Sequence, residues 1–179
     1  WGKCKLATSA YGHGITTTPL QLAKAYAIIA NGGYKIEPTL IKKRKNLKRG
    51  KQIITQENSN KINEILRKIV TSEQGTANLA NIAGYEIAGK TGTAQKSIKG
   101  KYSKKKINTF ASIFPISSPK YVLIVLLDEP KLSETYIYEY NDGKKRKIIG
   151  TPFNTAGWTS VEVAKNIIEK IGPILAIKY

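Results

Sequence analysis

Apolar residues recur along the chain at two periods, and the change from one to the other separates helical from extended stretches. Leu22, Ala23, Tyr26, Ala27, Ile29 and Ala30 keep a helical spacing with a broad apolar face. Thr18-Pro19-Leu20-Gln21 opens that run as a capping box with proline in the first turn, and Asn31-Gly32-Gly33 stops it. A second helix is predicted after Thr55, where Ile62, Ile65, Leu66, Ile69 and Val70 make one buried stripe that frays before Gly75. A third opens at Thr159, with Glu162 completing another box, and carries Val163, Ala164, Ile167, Ile168 and Ile171. Gly172-Pro173 predicts its end.

Between the second and third helices the period shortens. Tyr85 to Thr93 reads as a glycine-interrupted strand, Ile107 to Ile116 as a Thr-, Ile- and aromatic-rich one, and Tyr121 to Asp128 as an apolar strand covered on both faces. The short link Ser117-Ser118-Pro119-Lys120 makes the last two antiparallel neighbours. Thr135 to Tyr140 and Lys144 to Ile149, joined through Asn141-Asp142-Gly143, read as an exposed hairpin, charged enough to be an insertion rather than core. Helices, then sheet, then a closing helix predict an α+β fold with an antiparallel sheet packed between helices.

Composition narrows the classes. With 30 Lys and Arg against 12 Asp and Glu the formal charge is +18, yet 41% of the 179 residues are hydrophobic, which excludes a disordered polycation. A single cysteine, Cys4, and a single histidine, His13, exclude an internal disulfide and leave a zinc site short of ligands. No methionine occurs, so Trp1 is expected to continue an upstream segment. The longest apolar run, Tyr121 to Leu127, is strand-sized, far from the ~20 residues of a membrane span. Any anchor is therefore expected outside these residues. The lysines gather at Lys42 to Arg49, Lys96 to Lys106 and Lys144 to Lys147, predicted as solvated loops rather than one basic helix face. Such charge attracts nucleic acid only weakly and without sequence preference.

The densest chemistry is Gly84-Tyr85-Glu86-Ile87-Ala88-Gly89-Lys90-Thr91-Gly92-Thr93. Gly84 to Thr91 satisfies the phosphate-loop pattern, and Val122 to Asp128 imitates the acid-terminated strand of an NTPase. A phosphate loop, however, must hand its lysine and threonine to a helix N-terminus. Here Gly92 follows at once, then a lysine-rich stretch without an apolar stripe. The alternative places Lys90-Thr91-Gly92 on an exposed strand edge, as the K-T-G element of penicillin-binding proteins and serine β-lactamases.

Further blocks carry that alternative. They are Tyr11-Gly12-His13-Gly14-Ile15 with Thr18-Pro19-Leu20-Gln21-Leu22-Ala23 and Ala30-Asn31-Gly32-Gly33; Gly75-Thr76-Ala77; and Ala88-Gly89-Lys90-Thr91-Gly92-Thr93-Ala94-Gln95. Asn108-Thr109-Phe110-Ala111, Asp128-Glu129-Pro130, Thr155-Ala156-Gly157-Trp158 and Pro173-Ile174-Leu175 follow in order. Taken together, residues 1–179 resemble the C-terminal portion of the transpeptidase domain of class B penicillin-binding proteins, of the division-specific alphaproteobacterial type. The resemblance implies the penicillin-binding-protein and serine β-lactamase fold, in part, and a serine enzyme without cofactor or metal. It further implies acyl transfer from D-Ala-D-Ala stem peptides of peptidoglycan, covalent β-lactam binding, cell-division membrane proteins as partners, no specific nucleic acid, and a periplasmic site on a parent anchored in the inner membrane.

The resemblance also assigns roles. Lys90 would supply positive potential, the hydroxyls of Thr91 and Thr93 would face the substrate carboxylate, and the Thr93 N–H would be one oxyanion donor. Gly92 would let the substrate backbone lie close along the strand. The nucleophile is missing: Ser103-Lys104-Lys105-Lys106 and Ser117-Ser118-Pro119-Lys120 spell S-x-x-K, but neither begins a helix and both follow K-T-G. Nor does S-x-N occur. The segment bearing the nucleophile is expected upstream. Tyr11 to Gly14 is predicted as a glycine turn with His13 as a local hydrogen-bonder, and Trp158 as core.

Overall fold

The computed structural model describes residues 5–41, 50–98, 100–140 and 146–178. A fourteen-residue strand, Lys101–Phe114 (β2), pairs antiparallel with Ala88–Ile98 (β1) on one side and Tyr121–Asp128 (β3) on the other, in the order β1-β2-β3. Before the sheet come α1 (Lys5–Ser9), α2 (Pro19–Ala30), α3 (Gln56–Thr71) and a 3-10 turn at Asn78–Ala80. After it come β4 (Ile137–Tyr140) and β5 (Arg146–Ile149), paired as a separate hairpin, and α4 (Ser160–Lys178). Among the described residues no helix is long and apolar enough to cross a membrane.

Alternation along β2 sends side chains to two different layers. Phe110 and Phe114 join Val125 and the α4 residues Val161, Ala164 and Ile168 on one side. Ile113 joins Ala88, Leu66 of α3, and the half-buried Tyr26 and Ile29 of α2 on the other. β3 is apolar from Tyr121 to Leu127 because both of its faces meet helices, as its sequence predicts. Each large side chain buried here contributes about 1.5–3 kcal/mol. The α+β layering, with the sheet between helices, is therefore the expected one.

Helix starts follow local chemistry. Thr18 and Gln21 form the predicted box: the Thr18 hydroxyl accepts from the Gln21 N–H at 3.2 Å, and Gln21 Oε1 accepts from the Thr18 N–H at 2.8 Å. Thr55 caps α3 by accepting from the Asn58 N–H. Several expectations fail. The box at Thr159 does not form: its hydroxyl donates to the Thr155 carbonyl, while Glu162 turns to accept from Tyr136. Gly172-Pro173 does not end α4, which runs on to Lys178 with Pro173 inside it. Gly172 lies against the Tyr85 ring, where a Cβ would come within 2.0 Å, and Leu175 beyond it packs on the core. The helix continues although Pro173 has no amide N–H to donate.

β1 begins at Ala88 rather than Tyr85, because Glu86 adopts a left-handed backbone with φ 47°. It then extends to Ile98, and β2 begins at Lys101, so most of the predicted lysine loop from Lys96 to Lys106 is a β-hairpin arm. Ser103 lies on that arm and heads no helix. Lys90 and Thr91 are mid-strand, so no phosphate loop forms. The charged hairpin is not a mere insertion either: Tyr138 is buried in the core and stacks edge-on against Trp158. Its Asn141-Asp142-Gly143 turn, Lys144 and the Lys42 to Arg49 cluster lie outside the described residues.

Candidate active site

β1 is an edge strand among the described residues, so one side of its backbone faces away from β2. The register places Thr91 opposite Phe110 and Thr93 opposite Asn108, on the α4 side of the sheet. Lys90 and Gly92 alternate to the other side. Thr91 and Thr93, with Gly75, Thr76, Asn78, Leu79, Thr155, Gly157 and Trp158, line a cavity of about 320 Å³. Lys90 is not among its walls. Its ammonium group folds along the strand and donates to the Thr91 carbonyl at 2.7 Å.

Two loops close on β1 to make the cavity. The Thr76 and Thr91 hydroxyls share a hydrogen bond of 2.8 Å. The Thr93 hydroxyl accepts from the Ala156 N–H at 2.9 Å. The two loops also touch each other: a Cβ on Gly157 would meet the Thr76 carbonyl oxygen at 2.6 Å, so glycine is required there. Asn78 anchors the first loop by donating to the Val70 and Ser72 carbonyls at the end of α3.

Two glycines of β1 differ in kind. At Gly89 a Cβ would come within 2.7 Å of the Phe110 ring and 2.6 Å of the Ala111 carbonyl, so the fold itself demands glycine. At Gly92 the nearest atom to a Cβ is the Thr109 carbonyl oxygen, at 4.0 Å. Nothing in the described residues uses that bare position, which leaves it open to a ligand backbone.

The far end of β1 is tied by charge. Lys96 lies at the register shift between Gln95 and Ser97, on the face of the sheet that Asp128 shares. It bridges to Asp128 at 2.7 Å and Glu129 at 2.9 Å, while Lys105 holds the other Glu129 oxygen at 3.0 Å. The Asp128 and then the Glu129 hydrogen bonds hold the Lys96 ammonium above its usual range, and Lys96 and Lys105 hold the Glu129 carboxyl below its own. Part of the lysine excess is thus structural rather than merely solvated.

The remaining candidates separate from the site. Tyr11 to Gly14 forms a turn with positive φ at Gly12 and Gly14, and His13 stacks between Tyr11 and Tyr102 at the arm. Trp158 is not simply core: it walls the cavity and packs on Tyr138. Thr76, Thr155 and Trp158 line the cavity, a place the sequence did not give them, although Gly75-Thr76-Ala77 and Thr155-Ala156-Gly157-Trp158 stood out as blocks. Their 15- and 63-residue separations from β1 hid the contact.

A family model for the penicillin-binding protein transpeptidase domain matches residues 1–154. The chain belongs to that family. It is 30% identical to the probable peptidoglycan D,D-transpeptidase FtsI of Caulobacter vibrioides, over 99% of this chain and 29% of that protein. Stage V sporulation protein D of Bacillus subtilis is 35% identical over 73% of this chain and 22% of its own length. Among solved structures, the apo transpeptidase domain of Burkholderia pseudomallei penicillin-binding protein 3 superposes with a TM-score of 0.76 at 26% identity, covering 97% of this chain and 47% of that one. The chain therefore spans less than half the length of each of these relatives. β1 carries the Lys90-Thr91-Gly92 sequence.

Proposed function

We propose that these residues form the K-T-G side of a serine D,D-transpeptidase site, completed by a nucleophile-bearing segment outside positions 1–179. The observation that carries this reading is an edge strand with an uncrowded glycine, Gly92, flanked by Thr91 and Thr93 hydroxyls at a cavity mouth. A stem peptide ending in D-Ala-D-Ala would lie along the open edge of β1 by strand addition, with its terminal carboxylate toward the two threonines. A serine oxygen then bonds to the scissile carbonyl carbon, the amide C–N bond breaks, and the serine proton leaves with the terminal D-alanine. An amine of another stem displaces the serine from the resulting ester, closing a peptidoglycan crosslink. Lys90, on the opposite face of the strand, supplies positive potential where the nucleophile approaches, and the Thr93 N–H stabilises the oxyanion. β-Lactams enter the same site as acylating substrate mimics.

The setting follows from the same reading: a periplasmic enzyme held by an inner-membrane anchor elsewhere in the protein, working with cell-division membrane proteins. Fluorescent penicillin tests it. In the protein containing both this chain and its upstream segment, a stoichiometric acyl adduct should form, and Lys90→Ala should slow its formation by about a hundredfold or more with folding kept. The isolated 179 residues should not label. Near-normal acylation by Lys90→Ala would remove Lys90 from the site, and an adduct on any serine of this chain would place the nucleophile here.

A further inference from the structure

The Thr93 hydroxyl is held from behind by a buried polar relay. Its oxygen accepts from Ala156 N–H, which leaves its own proton to donate into the cavity. Ala156 is fully buried in the turn that precedes α4. That turn is gripped by Asn108, the residue opposite Thr93 on β2, which is itself fully buried. Asn108 Nδ2 donates to Asn154 Oδ1 at 2.8 Å and to Thr159 Oγ1 at 2.9 Å, on the two flanks of Ala156. Thr159 spends its proton on the Thr155 carbonyl at 2.9 Å, so only a donor can face its oxygen. The amide orientation of Asn108 is thereby fixed. Its Oδ1 is buried without a partner, a cost accepted where both donors are needed at once.

We infer that Asn108 is a positioning residue for the proposed site: through Asn154 and Thr159 it sets the Ala156 N–H that aims the Thr93 hydroxyl at the substrate carboxylate. The inference rests on the transpeptidase reading and deepens it, by naming what makes the site select a carboxylate-terminated ligand. Lys106 also holds Asn154, its ammonium donating to the Asn154 carbonyl at 2.9 Å.

The test compares acylation of the upstream-completed protein by benzylpenicillin and by its methyl ester, in which the carboxylate is masked. Asn108→Asp, isosteric but without the amide donors, should lower the preference for the free acid by about tenfold, the size of one hydrogen bond to a charged group. Because a buried carboxylate can prevent folding, Thr159→Val and Thr159→Ser form a second pair: the valine variant should lose the same preference and the serine variant restore it. Thr93→Val should lose it too, and adding Thr159→Val to Thr93→Val should cost nothing more. A folded Thr159→Val protein with full preference, or losses that add across the two sites, would overturn the inference. Failure of the unsubstituted protein to acylate with either compound would instead overturn the transpeptidase reading itself.

Discussion

Helices α2 and α4 are both apolar on one face, yet they are held very differently. α2 has its predicted capping box, its N-terminal proline and its glycine stop, and none of its residues is buried. α4 lacks the predicted box and contains the proline expected to end it, and Val161, Ala164 and Ile168 are fully buried against the sheet. Local signals decide where a helix can begin; the surface it meets decides how firmly it stays. α2 reaches the core only through half-buried contacts such as Tyr26 and Ile29. Its remaining apolar surface is available to the segment that we propose completes the domain.

The largest expected effect tests that contrast directly. Ile168→Ala in α4 should cost about 3–4 kcal/mol, and Ile29→Ala in α2 less than about half of that, by denaturant unfolding. Equal losses would mean that α2 is as firmly anchored as α4. Next, Gly172→Ala should destabilise by about 1–3 kcal/mol, because the new Cβ meets the Tyr85 ring, although a helix-interior alanine is otherwise worth about 1 kcal/mol. A gain in melting temperature would show that the Tyr85 contact does not hold α4 past Gly172.

Smaller effects belong to α2. Thr18→Ala should remove about 1 kcal/mol, read as lost helicity near the N-terminus of α2 rather than as global unfolding. A loss shared equally by α4 amides in hydrogen exchange would show that the two helices open together. Finally, burial raises the Tyr26 phenol above its ordinary value. The folded state therefore favours the neutral phenol: this contribution is complete below about pH 10 and is lost as pH rises through the raised value. Unfolding measured from pH 9 to 11 should show that decline, and Tyr26→Phe should flatten it. An unchanged slope in the variant would assign the decline to other tyrosines, such as Tyr136, whose phenol burial also raises.

The comparison also marks how far sequence reasoning reaches. The spans of α2, α3 and β3 were legible because each carries a periodic stripe between strong caps or turns. The K-T-G strand was legible too, but its start was not, since the left-handed backbone at Glu86 has no sequence signature. The lysine-rich arm reads as a loop because Lys104 to Lys106 mask any alternation, whereas backbone pairing of Ser97 with Tyr102 and Ile98 with Lys101 needs no apolar face. Tyr138 reads as an exposed hairpin residue, and only the three-dimensional arrangement puts its ring against Trp158.

The sequence by itself determined most of the helical and extended stretches and the order that makes an α+β layering, and it singled out Lys90, Thr91, Gly92 and Thr93 as the candidate chemical centre. These follow from neighbours within a few positions, where period, caps and motif spacing act. Tertiary structure alone decided that Thr91 meets Thr76, that Ala156 meets Thr93, and that Asn108 stands behind both Asn154 and Thr159. Those contacts join residues 15 to 63 positions apart, where no local propensity acts and only the closing of loops on a packed sheet can choose the partner.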